Sequence, residues 1–188
     1  MLDQVLQSLK AAMKMGMHVK TNTILQRGRN ESSWKELLIL AKDIPVDVRF
    51  LELMPIGEGK EGETISNTTL FQKIKEIYPD IKPDERKHGN GPAIYYKIPG
   101  FEGSIGFISA IHGGFCDSCN RLRMTSTGEL KPCLCYDETI SVRDVARCGD
   151  SEKIRENIKH AIQIKPKKHC FSEIEKVSEK KKMAQIGG

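Results

Sequence analysis

With 188 residues, of which 38% are hydrophobic and 29% charged, the chain can form one ordinary domain, or one with an appendage, around a buried core. Its net charge of +5 is modest and only 6% of its residues are aromatic. The basic runs Lys165-Pro166-Lys167-Lys168 and Lys180-Lys181-Lys182 carry no interleaved rings, so they read as solvated surface rather than a nucleic-acid stripe. No apolar stretch approaches a membrane span, and the start lacks the basic-then-apolar order of a signal peptide. The expectation is a soluble, cytoplasmic protein with no nucleic-acid or membrane partner.

Helix and strand signals alternate over the first 60 residues. Val5, Leu6, Leu9, Ala12 and Met13 share one helical face that Gly16 ends, and Val19 to Leu25 follows as a strand. Ser33 and Glu36 have capping-box spacing ahead of Leu37, Leu38 and Ala41; Pro45 stops that helix before a second strand, Val46 to Leu53. This order predicts βα units of a parallel sheet, although two strands are too few to stand alone. A Gly/Glu-rich loop at 57–62 and a short helix at Thr69–Ile77 come next. The polar stretch Pro79 to Pro92 reads as a linker. Ala93–Lys97 and Ser104–Ser109, either side of Pro99-Gly100, read as a hairpin. Ile154, Ile158 and Ile162 mark a helix over Ser151–Ile164, and Glu173–Lys182 reads as a surface helix or a flexible lead into the end. The expected domains are 1–78 and 79–188.

All six cysteines lie beyond residue 115, at 116, 119, 133, 135, 148 and 170. Four of them fall within 20 residues, which points to metal ligation rather than to a disulfide scaffold. Cys116-x2-Cys119 can turn two thiolates toward one centre, and a tight turn at Gly128 would return Cys133 and Cys135 to them. Four ligating thiols would give a tetrahedral site, as in structural zinc; three would give a [4Fe-4S] cluster with one open iron. The spacing admits both readings. Cys148 and Cys170 read as isolated thiols.

Arg121 and Arg123 stand two apart beside the first pair, so extended backbone would aim both guanidiniums the same way, in a form suited to phosphate. Lys20 is a candidate cation on the first strand, Arg49 and Glu52 are ionisable groups in the otherwise apolar second, and Met54-Pro55 follows it. The five histidines form no compact metal motif, and there is no phosphate loop of the G-x-x-x-x-G-K-[ST] type.

Val19-Lys20-Thr21-Asn22-Thr23, Val48-Arg49-Phe50-Leu51-Glu52-Leu53-Met54-Pro55-Ile56-Gly57, Ile105 to Ser109, Phe115-Cys116 through Arg123, Gly128 to Leu134, and the terminal Gly187-Gly188 together resemble the GTP 3′,8-cyclase family. These are radical S-adenosylmethionine (SAM) enzymes of molybdenum cofactor biosynthesis, and the resemblance runs in order along essentially the whole chain. It implies an α/β fold: the C-terminal part of an incomplete βα (TIM-like) barrel, followed by an α+β cluster domain. It further implies that Cys116, Cys119 and Cys133 ligate a [4Fe-4S] cluster whose open iron meets the guanine, with Cys135 a spare thiol. Lys20, Arg121 and Arg123 would contact GTP. Met54, Arg49 and Glu52 would line the SAM site, and Gly187 and Gly188 would form a tail entering the active-site region. In the complete enzyme, reductive cleavage of SAM gives a 5′-deoxyadenosyl radical that takes hydrogen from the ribose C3′ of GTP, and C3′ then bonds to guanine C8. The product is (8S)-3′,8-cyclo-7,8-dihydroguanosine 5′-triphosphate. The C-x3-C-x2-C triad that binds the SAM-reducing cluster does not occur in this sequence. The expectation is a chain inactive by itself, partnered by an N-terminal half on a separate chain or by a homologous cyclase subunit. The alternative is a non-catalytic four-cysteine zinc or interaction module.

Overall fold

Helix α1 (Leu2–Lys14) stops at Gly16, whose φ of +74° suits glycine, and strand β1 (Val19–Ile24) follows. Helix α2 (Trp34–Asp43) leads to strand β2 (Val46–Leu51), and α3 (Asn67–Ile77) comes after the 57–62 loop. The computed structural model describes residues 2–186 and divides them into two units. One comprises the chain up to Leu53 together with Glu63–Gly113; the other comprises Met54–Gly62 and the chain from Gly114 on.

In the first unit β1 and β2 are parallel, with Val19 opposite Val46 and Lys20 opposite Asp47. β2 also pairs in parallel with β5 (Ile105–Ile108), beyond which β4 (Ile94–Lys97) and β3 (Lys82–Pro83) run antiparallel. The sheet order is β1-β2-β5-β4-β3, which makes the unit α/β with a mixed sheet. Residues two apart share a face of a strand. Val46, Val48 and Phe50 of β2, with Ile105 and Phe107 of β5, pack against Trp34, Leu38 and Ala41 of α2 and Leu70 and Ile74 of α3. Asp47 and Arg49 therefore fall on the opposite face. β1 pairs only with β2 among the described strands.

The expected hairpin forms, closed by a turn in which Gly100 has φ +82°. The 79–92 stretch is more than a linker, because Lys82–Pro83 supplies the edge strand and the residues after it are tied to the sheet. Proline is tolerated at such an edge, where a missing N–H leaves no ladder bond unmade. Ser33 does not cap α2 through its side chain; side-chain caps form at α3, where Ser66 Oγ accepts from Thr69 N at 3.1 Å, and at the later helix that Asp150 opens, where Asp150 Oδ1 accepts from Lys153 N at 3.0 Å.

Gly103 sits where α2 meets β2: its N–H donates to Ala41 O at 2.8 Å, and a Cβ there would lie 2.0 Å from Val46 O. Backbone cannot yield as a side-chain tip can. Gly103→Ala is expected to lower the unfolding free energy of this unit by about 3 kcal/mol or more. Urea unfolding checks this, and a loss under 1 kcal/mol would mean the α2–β2 junction can open.

In the second unit, β6 (Arg123–Met124), β7 (Glu129–Lys131) and β8 (Ile140–Ser141) form an antiparallel sheet. The β6–β7 turn is made by Gly128, with φ +79° and its N–H donating to Thr125 O at 3.0 Å. Helices α4 (Arg143–Arg147) and α5 (Ser151–Gln163) follow, and Leu130, Val142 and Ala161 form one buried cluster with Leu122 and Ile140 packed on it. The isoleucine stripe of α5 is not its inner face: Ile162 is 57% exposed, whereas Ala161 is buried and Asn157 Nδ2 donates to Ser141 O at 2.9 Å. Residues 173–182 are not a surface helix. They make one short turn at Ile174–Lys176 and then an extended run in which Val177 and Glu179 are buried. No described helix is long and apolar enough to cross a membrane.

Candidate functional site

The cysteine residues of interest all belong to the second unit. Cys116 opens a short 3-10 turn (Cys116–Ser118), and Cys119 N donates to Cys116 O at 3.1 Å, so the x2 spacing forms one tight turn. Cys133 follows β7, brought round by the Gly128 hairpin. All six cysteines are free thiols; Cys116, Cys119 and Cys133 are half-buried. Burial pushes the Cys133 thiol up, and the nearby Cys116 and Cys119 sulfurs add to this, while the Cys135 backbone N–H and the Lys165 ammonium pull the other way. The three sulfurs thus share one electrostatic neighbourhood. Cys116 Sγ also accepts from His169 N at 3.4 Å. Backbone N–H groups donating to sulfur, with an ammonium nearby, are an environment that stabilises ligating thiolates or a cluster's sulfur.

Cys135 behaves differently. It is fully buried, its Sγ lies 2.9 Å from Cys170 Sγ, and it accepts from Cys170 N at 3.2 Å. Burial and the Cys170 contact push its thiol up to about 12. Its side chain is occupied with Cys170, which sequence reading had left as an isolated thiol.

Arg123 is half-buried on β6 and Arg121 is exposed just before it. Burial and the Arg121 charge weaken the hold of the Arg123 guanidinium on its proton, and Cys119 offsets this. With a usual value above 12, Arg123 remains a cation. Lys165 is not solvated surface. Its Nζ donates to Arg121 O at 2.9 Å and to Pro132 O at 2.8 Å, clamping the two arms that carry Cys119 and Cys133. Nothing in its Lys-Pro-Lys-Lys context signalled that role.

Lys20, Arg49 and Glu52 belong to the first unit. Lys20 Nζ donates to His88 O and lies 5.5 Å from the Tyr95 ring centre. Arg49 shares the coreless face of the sheet with Lys20 and Asp47, and its Nε is buried without a hydrogen-bond partner. Its neighbour across the ladder is Gly106, where a Cβ would come 2.9 Å from both Arg49 Cγ and Tyr95 Cε1. Only glycine leaves room there for both side chains.

Glu52 is fully buried and fully engaged. It accepts from Asn67 N at 3.0 Å, Ile111 N at 2.7 Å, His112 N at 2.9 Å, and faces His112 Nδ1 at 3.0 Å. Burial pushes its carboxyl up, but these donors outweigh burial and hold it below the ordinary value. Met54 falls in the second unit, its carbonyl accepting from Ile56 N at 2.8 Å. In the same loop Gly57 packs closely on Lys182, and Lys182 Nζ pairs with Glu58 at 2.9 Å. Gly187 and Gly188 lie outside the described residues.

Known proteins resemble this chain along essentially its whole length. The family model for Molybdenum Cofactor Synthesis C matches residues 46–171. The GTP 3′,8-cyclase of Clostridium perfringens (strain 13 / Type A) is 42% identical over 188 residues, and that of Alkaliphilus metalliredigens is 39% identical over 191. The GTP 3′,8-cyclase of Petrotoga mobilis is 36% identical over 189 residues. These alignments cover 99–100% of this chain but only 58% of each relative, so the chain spans under two thirds of their length. With the family match extending from β2 through the cysteine segment to Phe171, the chain belongs to the Molybdenum Cofactor Synthesis C family.

Proposed function

We propose that this chain is the substrate-side, C-terminal [4Fe-4S] portion of a GTP 3′,8-cyclase acting in molybdenum cofactor biosynthesis. The observation that carries the reading is the set of three half-buried thiols, Cys116, Cys119 and Cys133, served by backbone N–H groups and Lys165, with Arg121 and Arg123 adjoining. Three thiolates would hold the cluster, which when bound supplies an open iron for a substrate donor atom. Arg121, Arg123 and Lys20 supply cationic donors for GTP phosphates. Arg49, with its unpartnered buried Nε, and Met54 are assigned to the SAM side. Glu52 is assigned there as a positioning group, because its carboxylate already holds the Ile111 and His112 amides. Gly187-Gly188 would reach the active-site region, small enough for close backbone approach.

On this reading 1–78 is the remnant of βα units of a partial barrel, with β1 and β2 its last strands, and 79–188 is the cluster domain. The four-cysteine zinc reading is disfavoured by the commitment of Cys135 to Cys170. Turnover of GTP then requires a C-x3-C-x2-C triad in addition to the residues present here. The protein groups here bind, orient and shield; the radical step is the cofactor's.

Equilibrium binding of GTP to the anaerobically reconstituted chain tests the proposal. GTP is expected to bind more tightly than ATP, and removal of iron or Arg123→Ala is expected to weaken GTP at least about tenfold. Equal affinity for both nucleotides, unchanged by either treatment, would count against it.

A further inference from the structure

Away from the cysteines, in the first unit, three side chains converge on one carboxylate oxygen. Asp47 Oδ2 lies 2.8 Å from His18 Nε2 and 2.7 Å from His88 Nδ1. The three residues come from different places: His18 just precedes β1, Asp47 is the second residue of β2, and His88 sits in the segment between β3 and β4. The parallel register that sets Val19 opposite Val46 is what brings His18 beside Asp47. Their ligand atoms all lie within 4.8 Å of one another. The Asp47 and His88 side chains are 4% and 6% exposed, while His18 is 52% exposed.

The other nitrogen of His88 also lies near a carboxylate, with Nε2 3.0 Å from Asp84 Oδ2 but not aligned for a hydrogen bond there. Arg86 grips Asp84 through Nη2 at 2.7 Å, and Ser104 Oγ donates to it at 2.6 Å. Tyr95 stacks on the His88 ring, with centroids 3.9 Å apart and planes 10° apart, so the ring cannot turn away. A neutral imidazole has one N–H and one lone pair. If its proton faces Asp84, a bare lone pair faces Asp47. If it faces Asp47, a lone pair faces Asp84. One positive charge at the Asp47 end removes the conflict, and it can be a second proton or a metal ion.

We propose that His18 Nε2, Asp47 Oδ2 and His88 Nδ1 form a divalent transition-metal site of the zinc class, with Asp84 orienting His88. Two imidazoles and a carboxylate are a donor set that zinc and cobalt accept, with water in the fourth place on the exposed His18 side. A carboxylate behind a ligating histidine fixes its tautomer, and Asp84 stands in that place. Binding needs the donors to part by about half an ångström, to the roughly 3.3 Å separation of atoms about 2.0–2.1 Å from a tetrahedral ion. His18, outside the sheet and half exposed, can make its share of that movement, and a small rotation of the Asp47 carboxylate opens the contact with the stacked His88. The metal would pin the segment whose His88 carbonyl holds Lys20. The site itself does not depend on the cyclase reading.

The test is titration of the full chain, its cysteine site first filled with iron and sulfide, with one equivalent of Zn2+ followed by zinc-edge X-ray absorption. The expected result is a first shell of nitrogen and oxygen at about 2.0–2.1 Å, with affinity reduced at least about tenfold by His18→Ala. His18 is exposed enough for that variant to fold. A sulfur shell near 2.3 Å, or affinity indifferent to His18→Ala, would overturn the proposal. So would NMR showing both His88 nitrogens protonated at neutral pH with excess zinc present.

Discussion

Glu179→Ala is expected to lower the stability of the second unit by about 3–5 kcal/mol, because it leaves a buried ammonium without its counter-charge. Lys131 and Glu179 form an ion pair with side chains 1% and 2% exposed. The pair is further satisfied: Lys131 donates to Tyr136 O, and Glu179 Oε1 accepts from Lys181 N at 2.7 Å. Around it, Glu179 N donates to Cys135 O at 3.3 Å and Ser178 Oγ to Asp137 at 2.8 Å. These bonds fasten the C-terminal run to the loop that carries Cys133. The ion pair is its buried anchor. Lys131→Met combined with Glu179→Leu should recover most of the loss, since an apolar pair carries no desolvation cost. Denaturant unfolding with hydrogen exchange over 174–186 reads both results. A single-variant loss below 1 kcal/mol would show that the run is held by its other bonds.

The second large effect is expected at Glu52. Glu52→Ala leaves the Asn67, Ile111 and His112 amides without their acceptor, at a cost of about 3–5 kcal/mol. Glu52 also places a negative charge at the first turn of α3, where helix N–H groups are unsatisfied. Glu52→Gln should fall between, since its amide NH2 would meet donors that the carboxylate oxygens now receive. The pH dependence follows from the lowered folded value. The stabilisation is fully present above the unfolded carboxyl value of about 4.3 and is lost as pH falls through the lower folded one. The stability gap between the native chain and Glu52→Gln should therefore be constant from pH 6 to about 5 and narrow below about 4. A gap that widens in acid would contradict the assignment.

The strands and their order could be read from the sequence wherever burial imposed a simple period. Val46, Val48 and Phe50 alternate with Asp47 and Arg49, and that alternation survives intact in β2. The cysteine spacing likewise placed Cys116, Cys119 and Cys133 in one local segment, because a turn at Gly128 is a local property. What could not be read depends on distant partners. Lys165 looks like any lysine in a basic run until Arg121 O and Pro132 O appear beside it. Glu179 stands among lysines 180–182, yet its partner is Lys131. Cys170 pairs with Cys135 across 35 residues. The α5 stripe misled for a related reason: Asn157 takes an inward place through a hydrogen bond to Ser141, which a hydrophobic period cannot register. Glu52 was rightly singled out as unusual, but a buried carboxylate can serve backbone amides as readily as a ligand.

The central claim is that three thiols, not four, hold the centre. The most direct measurement is iron, acid-labile sulfide and zinc per chain after anaerobic purification and reconstitution, in the native sequence and in Cys135→Ala. About four irons and four sulfides per chain, unchanged in Cys135→Ala, is the predicted result. Stoichiometric zinc bound through sulfur and lost with Cys135 would contradict it, and would make the cysteine segment a four-cysteine structural module.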